Sequence, residues 1–415
     1  MTLSVVAHAQ SAGAELVPAW TYPLAAGVEW VEPVAAKEAE ALLLATPAGA
    51  LHVLDPATGQ MRLTAPIEAA PGVRLVRGQH PSDTAFCFDR YSAYAIRIAA
   101  PARLVHQLGG RSAQAADFPG DPEVLSSWQH AVVTHAGDLL LVNTDGRVAL
   151  WSPTDATETW VTHLDPLPIA RLHVRAETAV VLSKTGGRVR AAFVRLAERP
   201  PAVRTRELGP VWPVWSTLVA EGLLTVTSSE AALWPDAGPP RMIPLGPVEL
   251  RATAIAVDAD AARGARLLVL DGHRLVTFDL AAGRRTATQS VGPVHGTPSL
   301  AVTGDCVVLA DERGVALHTM TDGTPLVRQA VDGERLLGWH VARATRLYTL
   351  GERAVGPATT LCLGLIELTA SQPVTQPAST TEFRLRDAGR PRRVAWTDTH
   401  LILVESDGLR AYKLP

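Results

Sequence analysis

Runs of four or five consecutive apolar residues, each followed by a polar turn and then by an alternating strand, recur along the whole of this chain. The clearest copies are 41–55 (ALLLATPAGALHVLD), 138–152 (DLLLVNTDGRVALWS), 179–193 (AVVLSKTGGRVRAAF), 266–279 (RLLVLDGHRLVTFD), 306–319 (CVVLADERGVALHT) and 400–414 (HLILVESDGLRAYKL). Asp145-Gly146, Asp271-Gly272 and Asp407-Gly408 supply the turn chemistry of β-hairpins, because Gly reaches positive φ without a Cβ clash. The first strand of each hairpin is apolar on successive rather than alternate residues, so both of its faces are predicted to be buried. Pro, Gly and β-branched residues interrupt every window that could otherwise hold a helix with apolar positions at i, i+3 and i+4.

Weaker copies at 84–98, 223–234 and 346–368 bring the number of hairpins to nine, starting about 40 to 45 residues apart with two longer intervals near 55. A layer buried on both sides and repeated at that spacing is the signature of a β-propeller built from four-stranded antiparallel blades. The expected fold is therefore all-β: one propeller of nine blades over 15–415, with eight as the alternative, preceded by a flexible tail at 1–14. The last copy ends without an outer strand, whereas residues near 15–21 carry a strand-like segment ending in Trp20-Thr21. That segment is predicted to pair with the C-terminal blade and close the ring, which removes an exposed edge.

Two copies extend in the same way. Gly49-Ala50-Leu51-His52-Val53-Leu54-Asp55 with Thr58-Gly59 lies over Gly146-Arg147-Val148-Ala149-Leu150-Trp151-Ser152, with Trp160 beyond it, and Phe278-Asp279-Leu280-Ala281-Ala282-Gly283 is a looser third. This pattern resembles the repeat of PQQ-like propellers and shares part of its motif with WD40-like repeats. The resemblance implies a non-catalytic, scaffold-type member. Quinoprotein dehydrogenases of that superfamily use adjacent cysteines beside the quinone, and Cys87, Cys306 and Cys362 are never adjacent. No cofactor is expected.

Composition narrows the function further. A net charge of −3 offers no basic field for counterion release on nucleic acid, and no apolar run reaches the roughly 18 residues of a membrane span. The bias towards Ala, Arg and Pro fits a GC-rich bacterial genome. Ala7-His8-Ala9 imitates a signal-cleavage site, but about five apolar residues without Lys or Arg precede it. A cytoplasmic location is expected, with an exported or periplasmic protein as the alternative.

Phosphate-loop, nucleophile-elbow and His-Glu-x-x-His motifs do not occur in the sequence. One constellation stands out instead. Gly209-Pro210-Val211, Gly246-Pro247-Val248 and Gly292-Pro293-Val294 repeat where one blade should hand over to the next, followed by Trp212, Glu249 and His295 respectively. Trp30 and Gly338-Trp339 occupy comparable handovers, and Trp215 lies next to one. Innermost strands line the channel, so Trp30, Trp212, Trp215, Glu249, His295 and Trp339 form the candidate binding face near one mouth, for a protein or peptide partner. The bland alternative is that the indoles wedge blades together. A channel-mouth enzyme or small-ligand binder is the competing function, with Glu249, His295 and Asp305 or Asp311 as its acid-base candidates.

Overall fold

A computed structural model describes residues 14–415 apart from 25–26, 36–39, 68–73, 77–82, 89–91, 100, 110–127, 135, 144–145, 153–156, 165–169, 199–200, 247–253, 259–264, 304–305, 320–324, 331–333, 343–345, 356–357 and 368–379. The tail expected before residue 15 falls almost wholly outside this range, as do Glu249 and Asp305. The described residues form strands and turns only, arranged as nine antiparallel blades of four strands. The innermost strands are Trp30–Ala35, Arg74–Val76, Trp128–Val133, Ala170–Arg175, Trp215–Val219, Ile255–Asp258, Ser299–Thr303, Glu334–Ala342 and Arg393–Trp396, and they number blades 1 to 9.

The reason for the continuous apolar runs is visible in the second strand of blade 1. Ala41, Leu43 and Ala45 pack against blade 2 through Cys87, Tyr94 and Ile96, while Leu42 and Leu44 pack against blade 9 through Ile402, Val404 and Ala411. Alternate residues of one strand therefore serve two interfaces, and each fully buried Leu contributes roughly 1.5–3 kcal/mol of burial. Comparable clusters fill the other junctions, for example Phe86, Phe88 and Trp151 between blades 2 and 3, and Leu350, Leu363 and Leu401 between blades 8 and 9. The core is thus a ring of inter-blade layers with no centre.

Closure follows the expectation with one change. Trp20–Pro23 pairs antiparallel with Gly408–Lys413 and completes blade 9 as its outer strand. Residues 15 and 16 do not share this pairing: Ala14–Leu16 runs parallel to Thr380–Leu385 and adds a fifth strand to blade 8. Pro18 separates the two pieces, because it has no N–H to give to a ladder, and the chain crosses from blade 8 to blade 9 there. The N-terminal segment consequently ties two blades together as well as closing the ring.

Candidate functional site

Every blade begins at the channel, so its innermost strand starts at the same mouth, here termed the entry mouth. Strand register defines a ring of equivalent positions around it. Trp30 pairs with Ala45, Arg74 with Phe88, His130 with Val142, Arg171 with Leu182 and Trp215 with Val226. Ser299 pairs with Ala310, Gly338 with Leu350 and Arg393 with Val404. In each pair the second-strand residue packs towards the following blade. Ala254, whose carbonyl accepts from Leu270 N–H, holds the position in blade 6.

The ring is chemically lopsided. Blades 9, 1, 2, 3, 4 and 5 contribute Arg393, Trp30, Arg74, His130, Arg171 and Trp215, whereas blades 6 to 8 contribute only Ala254, Ser299 and Gly338. On the charged arc, a cavity of about 450 Å³ is lined by Trp30, Glu32, Arg74, Leu75, Val76, Ala131 and Arg393, which all come from innermost strands of blades 9, 1, 2 and 3. Arg74 and Arg393 are exposed. Trp30 is buried between blades 1 and 2, and its indole N–H has no hydrogen-bond partner among the described residues.

A second cluster continues the arc between blades 4 and 5. The Arg171 guanidinium lies over the Trp212 ring at 5.3 Å and donates at 3.5 Å to both the Ser216 hydroxyl and the Val214 carbonyl. Ser216 Oγ is also 2.9 Å from His173 Nε2. Burial first, then the positive neighbours Arg171 and His130, lowers the His173 pKa to about 4, so the ring is neutral at pH 7. The connector that carries Trp212 leaves Val211 59 % and Val214 46 % exposed.

Of the positions singled out from sequence, Trp30 and Trp215 fall on the ring, and Trp212 sits three residues ahead of it in the connector. Trp215 is half-buried against the layer between blades 5 and 6. His295 also lies in a connector, but its loop is tied down: Asp311 accepts from His295 N–H at 3.1 Å, and its other oxygen accepts from Arg313 and Gly314 N–H. Asp311 therefore acts as a turn anchor. Trp339 is a correction. Gly338-Trp339 is not a handover but the middle of a long innermost strand, and the alternation of that strand turns Trp339 back towards blade 7, where its N–H donates to Ser299 Oγ at 3.2 Å. Among the described residues no three His, Cys, Asp or Glu side chains are grouped to hold a metal.

Sequence reasoning missed Arg74, His130, Arg171, His173 and Arg393. The signal for them was present but indirect: each lies one strand before an apolar run, Arg74, His130, Arg171 and Arg393 facing the run's last forward-packing position and His173 facing Val180, the forward-packing position before it.

No protein-family profile matches the chain, and no characterised protein matches it in sequence. Solved structures do. The C-terminal WD40 domain of Sif2 superposes with a TM-score of 0.53 at 12 % identity, covering 80 % of this chain and 93 % of that one. The computationally designed Ika8 protein gives 0.50 at 11 % identity, covering 97 % and 100 %. BamB from Moraxella catarrhalis gives 0.49 at 14 % identity, covering 80 % and 96 %. These likenesses show the fold, a β-propeller.

Proposed function

We propose that this propeller is a non-enzymatic interaction module whose protein or peptide partner docks at the entry mouth. The observation that carries the reading is the blade 4 to 5 connector, which holds Val211 and Val214 out in solvent beside an Arg171-capped Trp212. Exposed apolar residues next to an aromatic and an arginine match the composition of interface hot spots. The buried layers hold the disc rigid, so such a surface needs little ordering on binding.

Val211→Asp and Val214→Asp test this. Both side chains are exposed, so melting temperatures should match the wild type. Immobilised wild-type protein should retain a defined partner from extracts of the native host, and the double variant should lose it. Equal recovery by wild type and variant would move the docking face away from this mouth.

A further inference from the structure

We infer that the charged arc of the entry mouth receives an acidic segment of the partner protein, with carboxylates seated between Arg74 and Arg393 over the wall formed by Trp30. This rests on the reading of the entry mouth as the docking face, and it adds the chemistry of what docks. Arg74 and Arg393 approach the same cavity from blades 2 and 9, on either side of blade 1. Both are exposed, and among the described residues neither holds a salt bridge. Among the described residues Glu32 is the single carboxylate lining this cavity, and it has contacts of its own. His130 and Arg171 extend the same basic arc through blades 3 and 4.

Guanidinium forks recognise carboxylates in a bidentate geometry. The Trp30 ring, packed between blades 1 and 2, gives the cavity a fixed apolar wall beside the two guanidinium groups. The volume, about 450 Å³, is within the usual range for bound groups of a few side chains and excludes a duplex. A polyanionic nucleic acid is also disfavoured by the net charge of −3.

The test uses the full chain and a fluorescein-labelled hexaglutamate peptide, with hexaglutamine as its uncharged counterpart, followed by anisotropy. Wild-type protein should bind the glutamate peptide at least about tenfold more tightly than the glutamine peptide, with weakening by salt. Arg74→Gln with Arg393→Gln should remove about tenfold in affinity at unchanged melting temperature. Arg204→Gln, an exposed arginine on the outer strand of blade 4, should bind as the wild type does. Equal binding of the two peptides, or an unaffected double variant, overturns the inference. Succinate displacing the peptide as effectively as unlabelled hexaglutamate would also overturn it, by showing a small-anion site. If hexaglutamate fails to bind while Val211→Asp with Val214→Asp still abolishes partner recovery, the acidic segment is wrong and the module reading stands. Failure of both removes the docking face itself.

Discussion

The indole N–H of Trp20 donates to the carbonyl of Pro56 at 2.9 Å, across the seam where the last blade meets the first. Trp20 is in the strand that completes blade 9, and Pro56 begins a turn of blade 1, so this bond joins the two ends of the ring. The contact depends on Gly59. A Cβ there would stand 2.6 Å from the Trp20 ring, and its φ of +71° lies in the left-handed region that favours Gly. Gly59→Ala should therefore destabilise the protein by about 1–3 kcal/mol, read from urea midpoints. A midpoint equal to the wild type would mean the seam tolerates displacement of Trp20.

Removing residues 1–23 tests the same seam more severely. The deletion strips the outer strand from blade 9, exposes the edge of Gly408–Lys413 and uncovers the layer containing Leu42, Leu44, Ile402 and Ala411. It also removes Ala14–Leu16 from blade 8. Unpaired strand edges promote association, so the truncated chain should melt at lower temperature and elute as aggregates in size-exclusion chromatography. A monomer with wild-type melting would show that the ring does not need its N-terminal strands.

The tryptophans divide into two groups that mutagenesis should separate. Trp151 is fully buried between blades 2 and 3, edge-on to Phe86 with ring centroids 6.1 Å apart. Trp151→Ala should cost about 3–5 kcal/mol of stability. Trp212 is half-buried under Arg171, and Trp212→Ala should cost less than half of that while lowering partner recovery per folded molecule. Equal losses of stability for the two variants would make Trp212 a wedge like Trp151.

The blades were legible in the chain because each two-sided apolar run records two interfaces at once, as Ala41 to Ala45 shows. The turns were legible because Gly146, Gly272 and Gly408 all have positive φ where Asp-Gly was read as a hairpin. The split of the N-terminal segment was not, because parallel pairing of Ala14–Leu16 is a tertiary choice with no local pattern. The site was legible only in part. Trp30, Trp212 and Trp215 stand out as rare aromatics at handovers, but the arginines of the arc come from scattered strands that only the ring brings together. Trp339 was misplaced because an innermost strand longer than its neighbours shifts the handover away from Gly338.

The last prediction concerns pH and rests on His173. Its folded pKa is lowered to about 4 from an ordinary 6.5, first by burial and then by Arg171 and His130. Between these values the unfolded chain binds the proton and the folded chain does not, so stability falls as pH falls through that window. The contribution is fully present above pH 6.5 and is lost as pH approaches 4. At pH 5 the loss amounts to about 1–2 kcal/mol after allowance for partial exposure. His340 and His400 are also lowered by burial and act in the same direction, with Asp398 at 4.0 Å opposing the shift on His340. Urea midpoints at pH 7 and pH 5 should therefore differ, the protein being weaker at pH 5. His173→Gln retains an amide that can bond Ser216 but cannot be protonated, so it should narrow that difference without a matching loss at pH 7. An unchanged difference in the variant would show that His173 is not the group that titrates, and that the blade 4 to 5 cluster is more open to water than its packing indicates.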